Sequence, residues 1–184
     1  MTLGKDQNAN FTGRPADGEE RLRRELDTYD LLDRLDIAYT RADHAPVTTM
    51  AVCEVIDAAL EVRICKNLFL CNRQQTVFYL LLMPGEKPFK TRDLSSQLGV
   101  ARLSFANEHF MEQLLGVAPG SVSILALMND AENRVQLLID ADVLKDDFIG
   151  CHPCRNTSSI KLRTFDLLEK FLPTVSHQPV IVTL

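Results

Sequence analysis

The sequence predicts a single α+β domain with a largely antiparallel sheet. At 184 residues the chain has the usual length of one domain. Its strand-like apolar segments come in adjacent pairs separated by short polar turns, which is the pattern of β-hairpins. Helical periodicity occurs between those pairs and does not alternate strictly with single strands, which favours α+β over a parallel α/β architecture.

The chain begins with a polar segment and an amphipathic helix. Residues 1–18 contain glycine and proline and show no periodicity, so we expect a flexible N-terminal segment followed by a single domain over 19–184. From Glu19 to about Asp36 the apolar residues recur at spacings of four, three and three, as in a helix that packs on one face. These apolar residues are Leu22, Leu26, Tyr29 and Leu32.

The middle of the chain predicts a strand, a helix and a hairpin. "IAYTRAD" (37–43) has the residue types of a strand, and Pro46 with the threonines after it makes a plausible start for a helix over "MAVCEVIDAAL" (50–60). "RICKNLFL" (63–70) and "TVFYLLLM" (76–83) are separated by the polar turn "CNRQQ", which is a hairpin spacing.

The second half predicts two short helices and then mainly strands. The helices are "TRDLSSQLG", closed by Gly99, and "NEHFMEQLLG", opened by Asn107 and closed by Gly116. A helix is also expected over "TFDLLEKFL" (164–172). The expected strands are "SVSILALM" (121–128), "RVQLLID" (134–140), "TSSIKL" (157–162) and "PVIVTL" (179–184).

The composition excludes several classes of protein. Hydrophobic residues make up 46% and charged residues 24% of the chain, which excludes a fibrous or wholly disordered protein. A net charge of −5 argues against a broad basic surface that coats nucleic acid and leaves room only for a local basic patch. The five cysteines suggest no disulfide framework, and no signal peptide or membrane span is visible. We therefore expect reduced thiols and a cytoplasmic location.

Lys66 and Asn67 interrupt a segment, "ICKNLFLCN", that otherwise has the composition of a buried strand. Burying an ammonium group costs several kcal/mol unless a partner compensates the charge. Two interpretations are open. Lys66 either extends along a strand edge so that its amine reaches water, or it belongs to a functional site.

A second unusual stretch, "GCHPCRNTSS", contains the C-x-x-C pair of Cys151 and Cys154 with His152 between them. A structural zinc needs four ligands, and the remaining cysteines provide no second close pair. A thioredoxin-like dithiol needs a helix directly after its first cysteine, whereas a strand-like segment follows here. We therefore expect neither a metal site nor a redox pair.

The other histidines carry little information. His109 lies within a predicted helix and His177 near a C-terminal loop, so both are expected at the surface. His44, in "DHAPVTT", either lines a pocket or caps a turn.

Three motifs together carry a family resemblance: "CKNLFL", "PGSVSILALMND" and "GCHPCRNTSSIKL". In this order and at these separations, with "RLSFAN" and "VLKDDFIG" between them, they closely resemble the YbaK/prolyl-tRNA synthetase-associated domain family, in particular its free-standing ProX-type aminoacyl-tRNA deacylases. The resemblance covers roughly residues 22–172.

This resemblance implies a curled, mostly antiparallel β-sheet with surrounding helices and a cleft in which a mischarged aminoacyl ester is hydrolysed. The implied substrate is alanyl-tRNA(Pro), edited in trans, with the acceptor end of that tRNA and prolyl-tRNA synthetase as partners. No cofactor, metal or membrane is implied. The alternatives are a member that edits another misacylated tRNA, such as Cys-tRNA(Pro), and a non-catalytic module that binds tRNA or the synthetase.

The resemblance also implies site residues. Lys66 and Asn67 stand where the family has its functional lysine and the asparagine after it, and His152 matches the histidine of the family's loop; these three are the candidate catalytic residues. Lys66 would either stabilise the oxyanion that forms at the ester carbonyl or bind a phosphate of the tRNA end. Gly150 and Pro153 match the turn residues of that loop, and Asn156 matches a polar position just after it. The candidate substrate-binding residues are these three together with His44 and Cys151, which the resemblance itself does not assign.

Because the chain is acidic overall, contact with tRNA must be local. The candidate cations for that contact are Arg63, Lys66, Arg73, Lys87, Lys90 and Arg92.

Overall fold

The computed structural model describes residues 10–16, 20–46 and 50–184. Its longer helices are α1 (Arg23–Arg34), α2 (Met50–Leu60) and α3 (Thr91–Leu98). Its strands are β1 (Asn10–Thr12), β2 (Tyr39–Asp43), β3 (Cys65–Cys71), β4 (Phe78–Pro84), β5 (Ser104–Phe105), β6 (Val135–Asp140), β7 (Phe148–Cys151), β8 (Ser158–Arg163) and β9 (Val180–Val182).

The strands form two sheets. The four-stranded sheet has the order β1-β2-β8-β7 and is antiparallel throughout. The five-stranded sheet has the order β5-β3-β4-β6-β9, in which β3 pairs with β4 and β5 antiparallel, whereas β6 pairs with β4 and β9 parallel. The predicted α+β class with mostly antiparallel strands is confirmed.

β4 is the central strand of the larger sheet, and all seven of its residues are buried. Its alternate side chains enter two separate apolar clusters: Phe78, Leu80 and Leu82 pack on one face, and Tyr79, Leu81 and Met83 on the other. A strand covered on both faces needs a continuous apolar run, which explains "FYLLLM".

The outer edge of β3 is paired only at its two ends. At the start, Ile64 bridges to Gly150, whose N–H donates to the Arg63 carbonyl at 3.3 Å and so joins the two sheets. At the end, β5 pairs with Leu70 and Cys71. Between these points no other described strand pairs with this edge, and a cleft opens there.

Several segments differ from the sequence prediction. The strand expected over 121–128 is wrong, because Ile124–Asn129 forms a 3-10 helix. Its first backbone N–H groups are bound by side chains, Ile124 by Asn67 Oδ1 at 2.7 Å and Leu125 by Ser123 Oγ at 3.2 Å. A short, continuously apolar run is compatible with either structure, so periodicity could not separate them.

The surface location expected for His177 is also wrong. Its ring is buried, with Nε2 3.1 Å from Asp130 Oδ2 and Nδ1 2.7 Å from the Val175 carbonyl. His109 is exposed, as expected.

Other helices, and the residues at which they end, agree more closely with the sequence prediction. The helix expected after Asn107 begins as an α-turn (Glu108–Phe110) and continues as a π-helical segment (Met111–Leu115). Gly99 and Gly116 end their helices with φ of 66° and 62°, the left-handed conformation that glycine adopts without strain.

The helix expected over 164–172 has a mixed character as well, with the segments Thr164–Asp166, Leu167–Phe171 (π-helical) and Leu172–Thr174. Within 1–18, the segment expected to be flexible, Asn10–Thr12 pairs with β2. The two threonines proposed to start α2 lie outside the described residues. None of the helices in the described ranges has the length and apolarity to cross a membrane.

Candidate active site

The cleft beside β3 has a volume of about 550 Å³, within the range of small-ligand sites. Consecutive residues of a strand point to opposite faces of the sheet. Residues from both faces of β3 nevertheless line the cleft, because the cleft wraps around the open edge of this strand. Its polar lining residues include Lys66, Asn67, Glu86 and His152, and its apolar ones include Leu68, Phe69, Phe105, Met111 and Val122.

The Lys66 ammonium group is half-buried and donates a hydrogen bond to the Lys87 carbonyl. Within the described ranges no carboxylate forms an ion pair with it. Burial lowers the pKa of Lys66, and the charge of Glu86 opposes this effect. An ammonium has three donors, so hydrogen-bonding capacity remains for a ligand in the cleft.

The Lys87 carbonyl is held in place by the Lys87 side chain. That ammonium contacts both carboxylate oxygens of the fully buried Asp140, at 2.9 and 2.8 Å, and Asp142 at 2.7 Å. Hydrogen bonds from Lys145 and Lys87 lower the pKa of Asp142 to about 2, so it remains ionised. This ion cluster fixes the loop against which Lys66 rests.

Asn67 connects β3 to the neighbouring 3-10 helix. Its Oδ1 accepts the hydrogen bond from the Ile124 N–H, so this oxygen is occupied. The side-chain amide nitrogen is the remaining donor that Asn67 can offer in the cleft.

His152 lies in the cleft with one ring nitrogen tied to the backbone. Its Nδ1 is 3.0 Å from the Ser158 carbonyl, which can only accept, so Nδ1 carries the hydrogen. Burial lowers the pKa of His152, and the nearby His44 lowers it further. The neutral ring therefore keeps a lone pair on Nε2.

His44 contacts His152 indirectly. Ser159 Oγ lies 2.9 Å from His44 Nε2 and 3.4 Å from His152 Nδ1, and His44 Nδ1 is 2.8 Å from the Ala45 carbonyl. His44 itself lines a separate depression with Glu20, Arg21, Asp43, Arg155 and Thr157, and not the cleft. The sequence left open whether His44 lines a pocket or caps a turn. In the structure it lines this depression, and its ring also contacts the carbonyl of the next residue, Ala45.

Four other sequence candidates are not among the residues that line the cleft. Gly150 is buried in β7, where a Cβ would lie 2.5 Å from Ile64 Cδ1 and 3.1 Å from Ile64 Cα, so the junction of the sheets requires glycine. Pro153 is buried. Asn156 lies close to the cleft residue Gly120: its side-chain nitrogen would be 3.5 Å from a Cβ atom added to that glycine.

The fourth, Cys151, has none of its surface exposed and packs in the main apolar cluster, as does Cys154. Burial raises the pKa of both thiols, that of Cys154 to about 11. Among the residues that the structure describes, no group of three or more His, Cys, Asp or Glu side chains is arranged to hold a metal ion.

The structure sorts the candidate cations into two groups. Arg63 pairs with Glu86 and Asp146, Lys87 with Asp140 and Asp142, and Arg92 with Asp93. Arg73 and Lys90 are exposed and form no ion pair with any described carboxylate.

The apolar part of the cleft was not predicted from the sequence. Phe105, Met111 and Val122 were not proposed as site residues, although Phe105 lies in the motif "RLSFAN" that contributed to the resemblance. Apolar residues give no chemical signal in a sequence, so only the fold shows that they line a cavity.

Comparisons with known proteins identify the family of this chain. Residues 44–170 match the family model for the aminoacyl-tRNA editing domain. The chain is 33% identical over 164 residues to prolyl-tRNA synthetase associated domain-containing protein 1 of Danio rerio, covering 88% of this chain and 87% of that protein. It is 30% identical over 141 residues to the prolyl-tRNA editing protein ProX of Acetoanaerobium sticklandii, covering 77% and 85%.

A solved structure, described as that of a candidate trans-editing enzyme for prolyl tRNA synthetase, superposes with a TM-score of 0.67 at 14% identity, covering 90% of this chain and 99% of the other. This similarity concerns the fold. With a family match over more than half of the sequence and relatives of at least 30% identity, the chain belongs to the aminoacyl-tRNA editing domain family.

Proposed function

We propose that this protein is a deacylase that hydrolyses the ester bond of alanyl-tRNA(Pro) in trans. Family membership and the names of the relatives support prolyl-tRNA editing. The observation that carries the proposal is the pairing of two groups in one cleft: the ammonium of Lys66, without a carboxylate partner in the described chain, and the imidazole of His152 with an available Nε2.

These groups have complementary roles in ester hydrolysis. His152 Nε2 accepts a proton from the attacking water, whose oxygen bonds to the ester carbon. Lys66 donates to the carbonyl oxygen, where negative charge develops, and the Asn67 amide is a second donor on the same strand. The bond from carbon to the ribose oxygen then breaks, and that oxygen takes the proton from His152 Nε2, releasing alanine and the uncharged tRNA. The neighbouring ribose hydroxyl can assist in orienting the water.

Selectivity against prolyl-tRNA follows from size. A synthetase site built for proline cannot strongly reject alanine, because a missing methylene changes binding by only about 1–3 kcal/mol. A cleft that fits alanine excludes the larger pyrrolidine ring by steric overlap, so the correctly charged tRNA is retained.

The test is single-turnover deacylation of alanyl-, prolyl- and cysteinyl-tRNA(Pro) by the full chain. We expect hydrolysis of the alanyl ester and retention of the prolyl ester. Faster cleavage of the cysteinyl ester would instead identify an editing protein for that residue. Binding of all three without cleavage would overturn the proposal in favour of a non-catalytic binding module.

A further inference from the structure

Phe105 lines the cleft and yet is 58% exposed. It belongs to the two-residue edge strand β5, which is held to β3 by pairing with Leu70 and by a 2.9 Å hydrogen bond from the Ala106 N–H to the Phe69 carbonyl. The ring of Phe89 packs against it edge-on, with centroids 6.3 Å apart and an angle of 70°. An aromatic ring is thus fixed in position while much of its surface faces solvent.

The register of the sheet places this ring on the same face as Lys66. Cross-strand partners share a face, and side chains alternate along a strand, so Phe105, Leu70 and Lys66 lie on one side of the sheet. Four residues of strand separate Leu70 from Lys66, which corresponds to about 13 Å. A nucleoside can bridge a separation of this order when both side chains extend into the cleft.

Two exposed cations are close in sequence to these two aromatic residues. Arg102 precedes Phe105 by three residues, and Lys90 directly follows Phe89. Neither forms an ion pair with a carboxylate in the described ranges, in contrast to Arg92, which pairs with Asp93. An exposed aromatic ring next to unpaired cations is the combination with which proteins bind single-stranded nucleic acid.

We propose that Phe105 is a stacking platform for the terminal adenine of the tRNA acceptor end, and that Lys90 and Arg102 bind the phosphates preceding it. The proposal rests on the proposed function, because the ester to be cleaved is attached to that adenosine. It also explains how a chain with a net charge of −5 binds a polyanion, since the contact is confined to one end of the cleft.

The chain contains no tryptophan, which permits a direct test of stacking. Phe105→Trp creates a single fluorescent reporter on the platform. Phe165→Trp creates a matched reporter at a residue that is 61% exposed and does not line the cleft. We expect AMP and the trinucleotide CpCpA to quench the first reporter saturably and to leave the second unchanged. Equal responses of the two reporters, or no response of either, would overturn the stacking proposal.

Deacylation kinetics provide a second test. Phe105→Ala should raise the protein concentration that gives half-maximal single-turnover deacylation by about 5- to 150-fold, the effect of removing one base–aromatic stack. Phe105→Tyr retains the ring and should restore the wild-type value, and Phe165→Ala should not change it. An unchanged half-maximal concentration in Phe105→Ala would contradict the platform.

The phosphate contacts are tested by salt dependence. Lys90→Glu and Arg102→Glu should each reduce the slope of log affinity for CpCpA against log salt by about 0.7, whereas Arg34→Glu, at an exposed position on α1, should leave it unchanged. Identical slopes in all variants would exclude these contacts. Fluorescence binding requires no hydrolysis, so a protein that binds CpCpA at Phe105 without cleaving any ester would refute the proposed function and leave the platform intact.

Discussion

The imidazole rings of His44 and His152 lie 6.3 Å apart and share the hydroxyl group of Ser159. One assignment of hydrogens satisfies the whole network. His152 Nδ1 donates to the Ser158 carbonyl and towards Ser159 Oγ, Ser159 donates to His44 Nε2, and His44 Nδ1 donates to the Ala45 carbonyl. Both rings are neutral in this arrangement.

A protonated His44 would break this pattern. Its Nε2 would then donate to Ser159 and turn the hydroxyl hydrogen towards His152 Nδ1, which already carries a hydrogen. The network therefore disfavours protonation of His44, and the charge of His44 lowers the pKa of His152.

Activity should depend on pH through these neutral histidines. Burial lowers the pKa of both histidines. The deacylation rate should therefore remain constant as the pH falls to about 6.5, the ordinary pKa of histidine, and should decrease only at more acidic pH. The rate–pH profile checks this. An acid-side loss of activity with its inflection above about pH 6.5 would contradict it.

The same shifts affect stability. Because the folded-state pKa values are depressed, the unfolded chain binds more protons below about pH 6.5, and the free energy of unfolding should decrease as the pH falls through that value. Urea unfolding between neutral and mildly acidic pH measures this slope. His44→Gln should make the slope smaller, and an unchanged slope would show that His44 does not contribute.

Lys66→Ala should lower the single-turnover rate for alanyl-tRNA(Pro) by about 10²–10³-fold, the usual effect of removing one donor to a developing oxyanion. The thermal melting temperature should change little, because the side chain is only half-buried. Lys170→Ala is a control outside the cleft: this amine also donates to a backbone carbonyl, that of Asp36, and differs from Lys66 in its ion pair with Asp166.

Near-normal activity of Lys66→Ala would mean that the lysine only extends along the strand edge to reach water. In that case Lys66 would not stabilise the oxyanion in the proposed mechanism.

Asn67→Ala should destabilise the fold by about 1–3 kcal/mol, because it leaves the N–H of the buried Ile124 without its acceptor. Asn67→Asp keeps an acceptor oxygen and should recover much of that loss. Denaturant unfolding of both variants gives the comparison. Equal stability of Asn67→Ala and the wild type would show that this hydrogen bond does not hold the 3-10 helix in place.

Cys151 and Cys154 should be chemically silent in the folded protein. Their thiols are buried and their pKa values are raised, so a thiolate-selective reagent should modify them only after unfolding. The double variant Cys151→Ala, Cys154→Ala should keep its deacylation activity and lose some stability through the cavities. Rapid modification of either thiol in the native protein, or loss of activity together with released zinc, would contradict this.

Elements with strong hydrophobic periodicity were predictable from the sequence. Elements whose structure depends on tertiary contacts were not. The stripe of α1 and the apolar run of β4 are visible in the sequence because burial dictates their residue types. The first N–H of the 3-10 helix at Ile124–Asn129 donates its hydrogen bond to a side chain 57 positions away in the sequence, and β5 has only two residues.

The candidate site shows the same division. Lys66 drew attention because it interrupts an apolar segment, but Lys66 and His152 became candidates for the site only through the family resemblance. Ser159 and Phe105 became relevant only in the fold, which places Ser159 next to His152 and Phe105 in the cleft that Lys66 also lines.

The open edge of β3 also bears on solubility. An unpaired strand edge is a template on which a second chain can add a strand and begin to aggregate. Here the free stretch is closed at one end by the Ile64–Gly150 bridge and at the other by β5, so it is too short to accept a strand of usual length. The half-buried ammonium of Lys66 in its middle adds a charge that an incoming strand would have to desolvate. The lysine that we place in the chemistry is thus also suited to protecting the protein against self-association.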